Sequence, residues 1–392
     1  MHKNTRITTA TAGAIVLGLL AAGCSSPAPE PPTTTEPATG RIGPIDLSSV
    51  CPSPIVVQTD WNPTSEHGHL YQMLGDDPAI DTRKKAVTGP LVAAGGYTGV
   101  ELEIRAGGPA IGFQTVSSQM YQDQDITLGY VQTDGQIVAS ATLPTVAVMA
   151  PLEVSPQIIM WDPETYPDAT TIADIGKTDA VVRYYAGSPY MEYLIGAGLL
   201  QRDRTDGGYD GTPATFVASG GADAQQGFSS SEPYIYEHEI AQWARPVAYQ
   251  LVADAGYPNY TAALAVRADA LAELDACLTL LVPVMQQALV DFYAQPEPVI
   301  DLILEAVEAY DNGIVYTRGS AEFGVSSVIE DGVVSNGADD AVGDFDPARV
   351  EELLGIVRPI AVDAGLTPAE GLTAADLYTN AYIDPAIGLP AE

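Results

Sequence analysis

The sequence predicts an α/β fold in two lobes, and three observations carry that expectation. Short β-branched stretches alternate with helical ones, about 340 residues remain after a polar N-terminal spacer, and unusual polar clusters recur where the strands end. The strands expected are "PIVVQT" (54–59), "VELEI" (100–104), "ITLGYV" (126–131), "TVAVMA" (145–150), "QIIMW" (157–161), "DAVVRYY" (179–185) and "AALAVR" (262–267). Their continuous apolar character points to mostly parallel sheets buried on both faces. Helices are expected over 66–74, 83–94 and 112–121. Another runs over "AGSPYMEYLIGAG" (186–198), opened by Ser188 and Pro189. The C-terminal third turns helical over 268–294, interrupted at Pro283, then over 299–310 and 347–362. There is no internal repeat.

The first residues set the compartment. Lys3 and Arg6 precede the apolar run "AGAIVLGLLAAG" (12–23), which stops at Cys24. A basic start before a short apolar segment reads as a signal peptide over 1–23, too short to span a membrane. "LLAAGCSS" (19–26) resembles a bacterial lipobox, so Cys24 is the expected lipidation site, although Ala21 stands where that pattern prefers Leu. "SSPAPEPPTTTEPATG" is rich in Pro, Thr and Ser, and residues 24–51 read as a lipid-anchored flexible spacer. No later segment is expected to cross a membrane.

A formal net charge of -35 excludes a nucleic-acid partner. Two further cysteines, Cys51 and Cys277, are a possible disulfide in an oxidising compartment.

In α/β sheets ligands bind beyond the carboxyl ends of the strands. "DWN" (60–62) follows the first strand, "GGP" (107–109) follows "VELEI", "QTDG" (132–135) follows "ITLGYV", and "YYAGSPY" (184–190) follows "AVVR". Together they describe one cleft.

The chain resembles the substrate-binding proteins of ABC importers, in the branch of thiamine-pyrimidine, nitrate and sulfonate binders (periplasmic binding proteins of type 2). The resemblance rests on "VVQTDWNPTSEHGHLY" (56–71), "VAVMAPLEVSPQIIMWDPE" (146–164), "TIADIGKTDAVVRYYAGSPYMEYLI" (171–195), "GADAQQGFSSSEPYIYE" (221–237), "FDPARVEELLGI" (345–356) and "DLYTNAYID" (376–384). It implies two α/β lobes joined by a two-segment hinge, here 52–148 plus 259–392 and 149–258, with crossings near 145–151 and 257–262. It also implies a small-molecule ligand, ABC permease subunits as partners, and membrane attachment through the N-terminal lipid.

Candidate ligand-binding residues are Asp60, Trp61, Asn62, His67, Gly108, Thr133, Asp134, Tyr185, Ser188, Glu232 and Tyr234. Each has a structural alternative. Trp61 is either packing or a flat platform for a heteroaromatic ring. Asp60 is a turn residue or a ligand acceptor, and Thr133, Asp134 and Ser188 are helix caps or ligand contacts. His67 and Glu232 match positions that the resemblance places in the cleft, with Tyr234 beside the latter. Glu66, His67 and His69 suggest a metal, but histidines two apart leave a helix on different faces and no third strong ligand is evident, so no metal and no cofactor are expected. The lining better suits a neutral or weakly basic heterocycle, such as a thiamine-type pyrimidine or another vitamin-like ring, than nitrate or a sulfonate. An enzyme related to thiamine-pyrimidine synthesis would need a cofactor lysine, and the chain offers only Lys3, Lys84, Lys85 and Lys177. No nucleophile triad, P-loop or HExxH motif is present either.

Overall fold

The computed structural model describes residues 41–390. The expected signal peptide and Cys24 lie outside the described residues.

Among the described residues, twelve strands form two sheets. The larger contains β1 (Ile55–Gln58), β2 (Ala79–Asp81), β3 (Ala86–Ala93), β4 (Gly96–Arg105), β5 (Leu128–Val131), β6 (Thr145–Met149) and β12 (Ala263–Arg267), in the order β2-β3-β4-β1-β5-β12-β6. The smaller contains β7 (Gln157–Trp161), β8 (Val182–Arg183), β9 (Thr205–Asp206), β10 (Ala224–Phe228) and β11 (Ala248–Leu251), in the order β11-β7-β10-β8-β9. Segments 150–156 and 252–262 run between them.

The helices are α1 (Gly68–Gln72), α2 (Val116–Gln122), α3 (Thr133–Ala139), α4 (Ile172–Ile175), α5 (Pro189–Gly196), α6 (Ala214–Ala218), α7 (Glu232–Tyr234), α8 (Leu271–Ala294), α9 (Glu297–Tyr310), α10 (Arg318–Glu330) and α11 (Pro347–Asp363).

The apolar strand at the start of the chain is explained by burial on both faces. Ile55 and Val57 pack into one core with Leu70, Leu281 and Phe292, while Val56 packs into a second with Met120, Ile137 and Leu353. Gly68 makes the α1–α8 contact possible, because a Cβ there would stand 2.2 Å from the Phe292 ring. Seating that ring is worth about 1.5–3 kcal/mol.

Five expectations need correction. The sheets are mixed rather than mostly parallel. Only β4–β1–β5 and β10–β8–β9 run parallel, while β2–β3–β4, β5–β12–β6 and β11–β7–β10 are antiparallel. Residues 83–94 form a hairpin arm, not a helix. Val87–Val92 alternates buried and half-buried positions, and the two-residue turn Ala94–Gly95 has positive φ at both positions, which suits the twist of paired strands. α8 runs unbroken through Pro283, because its buried face, including Leu278, Leu281, Val282 and Met285, holds it against the core. By length and composition α8 is also apolar enough to cross a membrane, contrary to expectation, but 56% of that stretch is buried inside the protein, as befits a core helix. The expected spacer ends early. Leu47 is fully buried and the Leu47 and Gly43 amides bond to Thr98 and Tyr97 carbonyls, so the chain is packed by residue 43.

Cys51 and Cys277 are joined in a disulfide that ties this N-terminal segment to α8.

Candidate functional site

A cavity of about 350 Å³ opens between the two sheets. One wall carries Gln132, Asp134 and Gly135, which follow β5, and Thr115, which caps α2. The other carries Gln157 of β7, Phe228 at the end of β10 and the segment 186–190 leading into α5. Ser155, Tyr257, Asn259 and Thr261, from the two connecting segments, complete the lining. Among the described residues, no Lys or Arg lines it. A larger groove of about 960 Å³ follows β6 and residues 369–380, but it touches one sheet only and none of the polar strand ends except Gln136 of α3.

The loop after β1 is held by its neighbour. The amides of Gly107 and Gly108 donate to the carbonyls of Trp61 and Asp60 at 2.8 and 3.0 Å. Gly108 has φ +54 and lies flat on the Trp61 indole, where a Cβ would stand 2.7 Å from the ring. Any side chain at this position would displace the indole. Asp60 places one carboxylate oxygen 3.1 Å from His67 Nε2 and the other 3.5 Å from Gln132 Nε2. His67 is buried and packs edge-on against Tyr130 at 5.1 Å. His69 receives the Tyr130 hydroxyl contact at 2.9 Å, and burial pushes its imidazole down to about 3, so it is neutral. The two histidines that crowd this stretch thus flank one tyrosine. Asn62 is also buried and accepts from Asn312 Nδ2 at 2.8 Å.

Thr133 and Asp134 anchor a connecting segment. The Thr133 hydroxyl and the Asp134 amide both donate to Asn259 Oδ1, at 2.7 and 3.0 Å. The Asp134 carboxylate accepts from the Tyr257 hydroxyl at 2.9 Å and from the Gly135 amide at 2.7 Å. Burial raises its pKa, and those two bonds oppose the shift. Thr133 is shielded behind the lining, whereas Asp134 is part of it.

Across the cavity, Ser188 donates to the Tyr185 carbonyl at 2.8 Å, and Gln226 accepts from the Tyr185 amide and the Tyr190 hydroxyl. Tyr185 is exposed and tilts against Tyr209 at 4.9 Å. Glu232 accepts from the Phe228 amide at 2.7 Å. Tyr234 turns instead toward His238 and Phe323, at 4.6 and 5.5 Å. Glu66 reaches across from the first loop to accept from the Ser230 hydroxyl. Gln157, Phe228, Tyr190, Tyr257 and Asn259 were not singled out in the sequence. Their only signal there was position, since they lie in or beside the hinge and strand-end segments.

Burial raises the Glu232 carboxyl from the usual 4.5 to about 7, against the pull of the Phe228 amide, and nearby Glu66 adds to the rise. The folded state thus keeps a proton that the unfolded chain releases, and stability falls as pH rises from 4.5 to about 7. Glu232→Gln is expected to flatten that part of the decline relative to the parent in thermal melts across the window. Parallel curves would contradict the assignment.

No family model and no curated protein matches the sequence. Solved structures do. The alkanesulfonate-binding protein SsuA from Xanthomonas axonopodis pv. citri, bound to MOPS, aligns over 84% of this chain and 100% of its own at 12% identity and TM-score 0.51. The periplasmic aliphatic sulphonate binding protein SsuA from Escherichia coli aligns over 82% and 96% at 16% identity and TM-score 0.51. A sulfonate-binding SsuA of Methylobacillus flagellatus KT, described as putative, aligns over 84% and 93% at 15% identity and TM-score 0.50.

The fold is that of the periplasmic binding proteins.

In this periplasmic-binding-protein fold, Arg105 ends β4 and Arg183 ends β8, and both are already paired. Arg105 is held by Glu103 and Asp123, at 2.5 and 2.8 Å. Arg183 is held by Asp223 at 2.9 Å and by Asp206. Each guanidinium is matched by two carboxylates and neither lines the cavity.

Proposed function

We propose that this protein is an extracytoplasmic solute-binding lipoprotein, anchored through Cys24, that captures a small molecule and delivers it to an ABC import permease. The single observation that carries this reading is the cavity between the sheets, lined from both sides and by both connecting segments. Lobes 52–148 with 259–392 and 149–258 would close on it by bending at those connections.

The ligand is a neutral or weakly basic heterocycle of the thiamine-pyrimidine kind. The lining supplies acceptors and donors (Gln132, Asp134, Gln157, Asn259) and the aromatic side chains of Tyr190, Phe228 and Tyr257, and among the described residues it holds no lysine or arginine to neutralise an anion. A sulfonate or nitrate ligand is the second reading; the names of two aligned structures, both sulfonate-binding proteins, favour a sulfonate, and the start of α5 at the cavity wall suits either anion. It would have to be held without a lysine or arginine. A pyrimidine-synthesis-like enzyme has less support: among the described residues Lys84 pairs with Glu103, Lys85 bonds the Tyr310 carbonyl and Lys177 pairs with Asp174, and none of the three lines the cavity.

A thermal-shift screen tests the reading. Pyrimidines and related vitamins are expected to raise the melting temperature, by about 2.7 kcal/mol of added stability at a hundredfold excess over Kd. Stabilisation by alkanesulfonates or nitrate alone would select the second reading.

A further inference from the structure

Phe113 is the most anomalous side chain near the cavity. It is 68% exposed, and its φ of +58 is a left-handed conformation that bulky residues rarely adopt. Exposure of a large aromatic ring and a strained backbone both oppose folding, and neither is offset by packing into a core. Strained residues of this kind cluster at active sites and ligand clamps. The surroundings support that use. The Phe113 amide is fixed by the Gly108 carbonyl at 2.9 Å, so the turn that seats Trp61 also sets Phe113. The Phe113 and Trp61 rings lie 6.0 Å apart, tilted by 50°. Gly108 covers one part of the indole, and Trp61 stays half-exposed. Thr115, two residues beyond Phe113, lines the cavity, as does Gln132, which reaches Asp60 beside Trp61.

We infer that Phe113 and Trp61 form an aromatic corner on the rim of the cavity, and that Phe113 is a specificity-determining residue that holds the flat face of a heteroaromatic ligand. The inference rests on the heterocycle reading of the cavity. Two rings tilted by 50° present a face and an edge to one planar guest, the arrangement that aromatic rings favour. Aliphatic sulfonates and nitrate have no ring to place there.

The test uses the full chain and calorimetric titration with 4-amino-5-hydroxymethyl-2-methylpyrimidine and thiamine as probes, and methanesulfonate and nitrate as controls. Phe113→Gly removes the ring and relieves the backbone, so its melting temperature should equal or exceed that of the parent. Its affinity for the heterocycle that the parent binds should fall about tenfold. Phe113→Tyr keeps a ring and should stay within about twofold of the parent. A Phe113→Gly protein that binds the heterocycle as tightly as the parent overturns the role of Phe113 and leaves the heterocycle reading standing. A parent that binds only methanesulfonate or nitrate, or none of the four, overturns the heterocycle reading and the corner with it.

Discussion

Replacing Arg349 with Ala is expected to lower the unfolding free energy by about 2–4 kcal/mol, somewhat less than stripping one partner from a fully buried charge pair, because Arg349 and Glu153 stay 16% and 21% exposed. Arg349 projects from α11 and gathers both connecting segments at once. Its guanidinium donates to the carbonyls of Pro258 and Asn259, at 3.1 and 2.9 Å, and to the carbonyl and carboxylate of Glu153, at 2.5 and 3.2 Å. It also stacks 3.7 Å above the Tyr260 ring. Removing it leaves three carbonyls without this donor and the Glu153 carboxylate facing Asp344, Asp346 and Asp339. Burial already raises Glu153 to about 7 although Arg349 opposes the shift. Without Arg349 its pKa should rise further, so the variant should lose stability more steeply than the parent as pH rises through the neutral range. Lysine keeps the charge but offers no planar fork, so Arg349→Lys should recover less than half of the loss. Urea denaturation at two pH values measures all three effects. A loss below about 1 kcal/mol would mean that the segments are held by other contacts, such as the 2.6 Å bond between Ser155 and Thr261.

Removing the disulfide should have an effect of similar size. Cys51 and Cys277 are 226 residues apart in sequence, so the bridge closes a very long loop in the unfolded chain. On the chain-entropy account its loss costs about 5 kcal/mol, near the top of the range measured for native bridges. Cys277 is fully buried in the core of the larger sheet, so substitution with Ala adds a small packing loss. The Cys51→Ala, Cys277→Ala protein should therefore unfold at markedly lower denaturant, while the parent should shift in the same direction on reduction. An unchanged midpoint in both would show that residues 41–51 are held by their packing and backbone bonds alone.

Much of the architecture was legible because it depends on local pattern. β1, β4, β5, β6, β7 and β12 fall where β-branched runs were read, and α5, α9 and α11 fall close to their Pro or cap signals. Residues 83–94 read as helical because Arg83, Lys84, Lys85 and the alanines suit a helix by propensity, whereas pairing with β2 and β4 makes Ala86–Ala93 a strand. α10 went unread since its Gly, Ser and Phe content carries no strong helical stripe.

Within the candidate site, the sequence by itself determined the strand-end clusters, because polar residues that interrupt an apolar strand must lie at its end, where a cavity between sheets can form. Which of those residues face the cavity was decided only by tertiary structure. Asp134 and Ser188 line it, but Thr133, Asn62 and His67 are drawn behind it by Asn259, Asn312 and Asp60, partners up to 250 residues away. Tertiary contacts likewise matched Arg105 and Arg183 with two carboxylates each, Glu103 and Asp123, and Asp206 and Asp223. A sequence shows a charge, but whether that charge is free for a ligand depends on which carboxylates the fold brings within hydrogen-bond reach, and that is a property of the folded chain alone.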